Sequence, residues 1–291
     1  SGLDDPDILL NKQEKDIETS YGKPSSILTL GKISNLDVVI LARHGKTHTI
    51  PPSKVNYRAN IQALKQEGCT HVLATSAVGS LRQEIKPGNL VFPSQFIDFT
   101  KQRKMSFFDS VGEVRHTAMA EPYDKKLREI LINTCKELGF NFNANKTLVV
   151  IEGPRFSTKA ESHMFRQWNA DIIGMTGVPE CILANELQIP YQTIAMSTDY
   201  DCWKEGEESV TWEMILKRMK ENADKVKQLL LLAIPRIANS DSEFIDNPSN
   251  KFTIDENRRY KHKRSFDERF TKNCRSRNKN QKRNCTFYCY F

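Results

Sequence analysis

Residues 191–203, "YQTIAMSTDYDCW", carry an apolar run that ends in two acids. Five of the first six residues are apolar or β-branched, and the run reads as a buried strand. Asp199 and Asp201 follow directly. Charged side chains are seldom buried without a partner, so both carboxylates are expected where the chain leaves a sheet, which is where α/β proteins hold their ligands.

Working outward, four more runs have the same character: "DVVILA" at 37–42, "HVLAT" at 71–75, "TLVVIE" at 147–152 and "DIIGM" at 171–175. Between them lie amphipathic stretches with helical spacing. Tyr57, Ile61 and Leu64 share one face, behind Ser53 as the expected N-cap. Leu127, Ile130, Leu131 and Leu138 share another; Val178, Cys181 and Ile182 mark a helix over 178–187; Ile215, Met219, Val226 and Leu230 mark one over about 209–232. Strand and helix in alternation predict an α/β fold: a single domain with a central, mixed, largely buried β-sheet flanked by helices.

The net charge of +7 is unevenly spread. Residues 239–291 hold 13 Lys and Arg against 7 Asp and Glu, so nearly all of the excess sits there and residues 1–238 are close to neutral. That argues against a nucleic-acid-binding core, whose basic footprint should lie on the folded body. The segment 239–291 is poor in large apolar residues and reads as a basic, disordered tail, although its "TFYCYF" end is aromatic enough to dock. No apolar run approaches the roughly 20 residues that span a bilayer. The chain opens at Ser1 with no charged-then-apolar leader, and its seven scattered cysteines suit a reducing compartment, so a cytoplasmic and also nuclear location is expected.

Strand ends carry the residues able to do chemistry. Arg43 and His44 follow the run at 37–42; Ser76 and Ala77 follow 71–75; "EGPRFST" (152–158) follows 147–152; "GMTGVPE" (174–180) follows 171–175; Asp199 and Asp201 close the last. Where these strands run parallel, their ends meet on one rim. Arg, hydroxyls and glycine-flanked amides suit a phosphate, and paired acids suit a group that presents N–H donors or accepts a proton. A purine does both. Taken singly, each has a plainer reading: Arg43 and His44 as surface salt-bridge partners, the two aspartates as helix caps, Ser76 as a turn residue, His116 as a structural histidine. Neither common nucleotide-loop fingerprint is present. Convergence alone favours the site.

The blocks "SGLDDP", "LARHGKTHTIPPSKVNYRANIQALKQEGCTHV", "GSLRQEIKPGNLV", "MAEPY", "IEGPRFSTKAESHMFRQWNADIIGMTGVPE" and "AMSTDYDCWKEGEESV", in this order, closely resemble the 5′-methylthioadenosine phosphorylase branch of the purine nucleoside phosphorylase family. The resemblance runs from Ser1 to about Ile237. It implies a nucleoside phosphorylase-like catalytic domain over 1–238 and a pentosyl transfer: phosphate attacks methylthioadenosine, giving adenine and 5-methylthioribose 1-phosphate, without metal or organic cofactor. It further implies that Ser1, Arg43, His44, Ser76, Ala77 and Thr176 contact phosphate. Met175, Phe156, Ser157 and Ile215 then line the nucleoside, with His116 contributed by a neighbour in a homotrimer, and Asp199 and Asp201 read the purine as the catalytic acids.

In the family a strand and a Gly-Gly turn precede the position of Ser1, and relatives carry a helix where residues from about 238 onward depart from the pattern. A missing sheet strand is therefore expected. Two alternatives stand beside the phosphorylase: a purine nucleoside phosphorylase acting on inosine or adenosine, and an inactive homologue whose basic tail binds a partner. Zinc ligation by His262, Cys274, Cys285 and Cys289 is not expected, because their spacing fits no compact finger.

Overall fold

The computed structural model describes residues 8–112, 114–206, 212–240, 253–254 and 287–290. In chain order the elements are β1 (Leu10–Lys15), β2 (Leu28–Ile33), β3 (Leu36–Leu41), α1 (Tyr57–Gln66), β4 (His71–Ser80), β5 (Leu90–Phe99), β6 (His116–Thr117), α2 (Lys125–Glu137), β7 (Phe142–Ile151), α3 (Lys159–Gln167), β8 (Ile172–Gly174), α4 (Glu180–Glu186), β9 (Tyr191–Asp199), α5 (Trp212–Ser240), β10 (Thr253–Ile254) and β11 (Phe287–Tyr290). All five sequence-read strands are present.

One nine-stranded mixed sheet runs β1-β2-β3-β11-β4-β8-β7-β5-β9, and a further β4–β9 pairing bends its second half into a closed ring. β4 and β9 are parallel over eight residue pairs, from Val72↔Tyr191 to Gly79↔Asp199, which sets Ser76 beside Ala195 and Gly79 beside Asp199. β8 runs antiparallel to the end of β4, through Gly79↔Ile173 and Ser80↔Ile172. The strand ends at the site are thus only partly parallel, and β8 reaches the rim from the opposite direction. Closure of the sheet brings it there.

Helices form where capping and apolar spacing agree. α1 buries Ile61 and Leu64, but its N-cap is Asn56, whose side chain accepts from the Ala59 amide at 3.2 Å. The expected Ser53 instead lies in a short 3-10 turn, Pro52–Lys54. α2 is capped by Asp124, and α3 by a reciprocal box between Thr158 and Glu161. α5 is longer than its apolar pattern suggested: it continues through Pro235 to Ser240 and buries Val226, Leu230, Ile234 and Ile237 against β9 and α2. No helix among the described residues is long and apolar enough to cross a membrane.

The boundary at 238 falls inside α5, and two short parts of the segment expected to stay disordered are strands. β10 pairs with β6, and β11 lies between β3 and β4, parallel to both. The rest of 241–291 lies outside the described residues, as do Ser1 and the candidate zinc ligands His262, Cys274 and Cys285.

Candidate active site

A cavity of about 450 Å³ opens at the ends of β3, β4 and β9 and beside β8. At its cationic end Arg43, two residues past β3, is 2% exposed. Burying a guanidinium requires compensation, and Glu180, fully buried at the start of α4, supplies it. Nε bonds Glu180 Oε1 and Nη2 bonds Oε2 at 2.9 Å, while Nη1 donates to the Thr75 carbonyl at 3.0 Å. The Tyr191 hydroxyl also donates to Glu180, at 2.9 Å. Arg43 is therefore a positive group clamped in one orientation across β3, β4 and α4. It is no surface salt-bridge partner.

His44 Nδ1 lies 2.8 Å from the Ile50 carbonyl. A carbonyl can only accept, so this nitrogen carries the hydrogen and Nε2 is left as an acceptor. Burial, reinforced by the Arg43 charge, lowers the imidazole pKa to about 4. Near neutral pH His44 is uncharged. Ser76 on β4 and Thr176, just beyond β8, place their hydroxyls 2.7 Å apart in the same cavity wall, next to Ala77.

The acidic end is built differently. Asp199 ends β9 and accepts from the Thr198 hydroxyl at 2.6 Å and from the Asp201 amide at 2.8 Å. Burial pushes its pKa up, against these two donors. Asp201 is 9% exposed and takes a left-handed φ of 50°. The Ser157 hydroxyl reaches both of its oxygens, at 2.8 and 2.9 Å. Gly79 leaves room for the pair, since a Cβ there would stand 3.1 Å from Asp199 Oδ2 and 3.1 Å from Ile173 Cγ2. The turn over Asp201–Trp203 has no side-chain cap at Tyr200, and its first amide is taken by Asp199 instead.

Met175 and Phe156 line the wall between these ends. Arg103 fixes that wall from behind, donating to the carbonyls of Val178 at 2.5 Å, Glu152 at 2.9 Å, Ile151 at 3.2 Å and Met175 at 2.8 Å. The structure thus gathers Arg43, His44, Ser76, Ala77, Phe156, Ser157, Met175, Thr176, Asp199 and Asp201 around one cavity. His116 is not among its lining residues; it is exposed on β6, opposite Ile254. Ile215 belongs to α5, but its side chain lies outside what is described. Sequence reasoning quoted Glu180 without a role, read Gly79 only as flanking phosphate-binding amides rather than as space beside the acids, and missed Arg103 and Thr198. For Gly79 the signal was present in "TSAVGS": a glycine inside a strand marks a close approach.

The phosphorylase superfamily model matches residues 4–235. The S-methyl-5′-thioadenosine phosphorylase of Xenopus tropicalis is 57% identical over 246 residues, covering 83% of this chain and 88% of that protein. Its counterpart from Hyperthermus butylicus is 51% identical over 238 residues, covering 81% and 86%. Among solved structures, methylthioadenosine phosphorylase from Schistosoma mansoni in complex with adenine superposes with a TM-score of 0.81 at 39% identity, covering 86% of this chain and 93% of that one. With its mixed sheet, its converging strand ends and these relatives, the chain belongs to the phosphorylase superfamily, in the branch whose members are named S-methyl-5′-thioadenosine phosphorylase.

Proposed function

We propose that the cavity binds 5′-methylthioadenosine and inorganic phosphate and transfers the methylthioribosyl group between them. A phosphate oxygen attacks C1′ as the bond from C1′ to N9 breaks. The electron pair of that bond passes into the purine, which takes a proton at N7. The products are adenine and 5-methylthioribose 1-phosphate.

In this reading Arg43, His44, Ser76, Thr176 and the Ala77 backbone surround the phosphate. The clamped guanidinium supplies fixed charge, the hydroxyls supply donors, and His44 Nε2 accepts the hydrogen that phosphate carries. That hydrogen balances the proton the purine gains. Asp199 is the proton donor because burial raises its pKa and keeps the carboxyl closer to its protonated form. Asp201, held by Ser157, accepts from the 6-amino group. Met175 and Phe156 pack on the sugar and thioether. The charge that develops is met by phosphate at the sugar and by an acid at the base, so phosphate acts as co-substrate and the chemistry needs no metal or organic cofactor.

Ser1 as a further phosphate contact and Ile215 beside the thioether complete this reading. So does His116, exposed on β6 and away from its own cavity, reaching a neighbour's cavity in a homotrimer.

The observation that carries the proposal is a single cavity with a clamped cation at one end and a carboxyl of raised pKa at the other. Adenine release from methylthioadenosine should require phosphate and should exceed hypoxanthine release from inosine. A preference for inosine would overturn the role given to the acids. Release without phosphate would overturn phosphorolysis. Sedimentation of the active protein as a monomer would remove the trimer and the part given to His116.

A further inference from the structure

The last stretch of β9 is irregular, and the irregularity falls on the residue before the first acid. Ser197 pairs with Val78 of β4 and Asp199 pairs with Gly79, so Thr198 is an extra residue with no opposite number on β4. In a regular strand successive side chains point to opposite faces, which would send Thr198 and Asp199 apart. The bulge re-aims them. Both line the cavity, whereas Ser197 does not, and the Thr198 hydroxyl stands 2.6 Å from Asp199 Oδ1.

That hydroxyl has a second neighbour. The Val78 carbonyl lies 3.2 Å from the same oxygen, and Thr198 is 4% exposed. A hydroxyl carries one hydrogen and a carbonyl only accepts, so Thr198 cannot donate fully to Val78 and to Asp199 at once. The protonation state of Asp199 decides between them. With the carboxyl protonated on Oδ1, the acid donates to Thr198 and Thr198 donates to Val78. With the carboxylate, Thr198 turns its hydrogen to Oδ1, where 2.6 Å is the length expected of a hydroxyl on an ionised acceptor. The Asp201 amide holds Oδ2 at 2.8 Å in either state.

We propose that Thr198 is a positioning residue for the proton donor, a rotor whose hydroxyl receives the acidic hydrogen of Asp199 in the resting site and donates to Oδ1 as that hydrogen leaves. The Asp199 O–H bond breaks, its proton forms the N–H bond at N7 of the departing purine, and the electron pair stays on Oδ1. The Thr198 hydrogen remains on its own oxygen and only changes acceptor. The charge-assisted bond is therefore made as the bond from C1′ to N9 breaks and is absent beforehand, which lowers the barrier without tightening substrate binding. This deepens the proposed function and rests on it for the identity of the proton acceptor. The coupling of Thr198 to Asp199 does not.

Burial and the Asp201 charge raise the Asp199 pKa, and the Thr198 hydroxyl and the Asp201 amide oppose them. Tyr200 and Cys202 are the other titratable groups of the turn that follows. β4 meets Asp199 with Val78 and Gly79, and β8 brings Ile173 beside them, none of which titrates. α3 adds Arg166, stacked 3.6 Å over the Trp203 ring of that turn, while Arg43 and His44 stand at the other end of the cavity.

The first measurement is the pH dependence of kcat and of KM for methylthioadenosine in wild type, Thr198→Val and Thr198→Ser. The donor must be protonated, so kcat falls as pH rises through the Asp199 pKa. Valine keeps the shape but takes a donor from the carboxylate, so that alkaline limb should move up by about one pH unit. At its optimum kcat should fall roughly fivefold or more, with KM kept within about twofold. Serine should restore wild-type behaviour in all three. Lost packing alone would not move the limb. A limb that stays in place in Thr198→Val, or that moves equally in Thr198→Ser, sinks the proposal.

The second measurement needs no substrate. Infrared difference spectra of the free protein across the same pH range should carry a carboxyl C=O band of Asp199, assigned by its absence in Asp199→Asn. Its midpoint should rise by about one unit in Thr198→Val and hold in Thr198→Ser. An unmoved midpoint removes the hold of the hydroxyl on the acid, whatever reaction the cavity performs. A midpoint that rises while the limb of kcat stays put overturns the part given to Thr198 in catalysis. A raised midpoint in a protein that releases no adenine with phosphate supports the coupling and removes the proposed function. If Thr198→Val does not fold, Thr198→Ala takes its place with the same expectations.

Discussion

The two ends of the cavity hold charge out of water by opposite means. Arg43 is matched by an opposite charge from within the protein: Glu180 is fully buried, bidentate, and held by Tyr191. Asp199 and Asp201 are held by neutral donors, namely two hydroxyls, one backbone amide and the Cys202 thiol. The first arrangement fixes a charge permanently. The second leaves the carboxyl of Asp199 poised to keep or give up a proton, because burial moves its pKa up against the donors that hold it. A phosphate, always anionic, needs the first; a leaving purine, which must be protonated, needs the second.

The largest effect should come from breaking the cationic end. Glu180→Ala leaves a buried guanidinium without its counter-ion, which costs about 3–5 kcal/mol. Denaturant unfolding should report that loss, and KM for phosphate should rise in whatever fraction folds. A change under 1 kcal/mol would mean that Arg43 is solvated in solution and that the clamp is not the organising feature of this end.

Breaking the acidic end should cost turnover in place of stability. Asp199→Asn keeps the shape but cannot release a proton, so kcat should fall on the order of a hundredfold, or about 2.7 kcal/mol in the barrier. Wild-type kcat should decline as pH climbs through the raised Asp199 pKa, and the residual activity of the variant should lack that decline. Full activity in Asp199→Asn would place the proton donor elsewhere.

Much of this contrast was legible in the sequence, and the reasons for the rest are specific. β9 and its acids could be read because an apolar run that ends in carboxylates has few other uses. β1 could not: all six of its residues are exposed, so no apolar alternation marks it. Glu180 stands 137 residues from Arg43 in the chain, and no local pattern encodes such a pairing. β11 sits within a charged segment whose composition argues for disorder, and its pairing with β3 and β4 joins distant parts of the chain. Local signals find strands and caps. Long-range complementarity chooses partners.

His44 tests the border between the two ends. In the unfolded chain an imidazole takes a proton near pH 6.5, while in the fold it does so only near 4. Between those values the unfolded state binds more protons, so this contribution to stability is complete above 6.5 and is lost as pH falls toward 4. His44→Gln should remove about 2–3 kcal/mol of that pH dependence, seen by comparing urea unfolding at pH 7.5 and 4.5. An unchanged pH profile would mean that His44 is solvated and cannot serve as the neutral acceptor beside phosphate.

The smallest expected effect separates the two acids. The Ser157 hydroxyl touches both oxygens of Asp201 and neither of Asp199 among the hydrogen bonds described. Removing it in Ser157→Ala should loosen Asp201 by about 1.4 kcal/mol, near the low end for a hydrogen bond to a charged group, which corresponds to roughly tenfold. If Asp201 only holds the 6-amino group, that interaction is the same in the bound substrate and in the transition state. The loss should then appear as a tenfold higher KM for methylthioadenosine, with kcat kept within about twofold. A fall in kcat at constant KM would instead mean that the interaction grows as the bond breaks. Asp201 would then be the acid that delivers the proton, and Asp199 the one that holds the base.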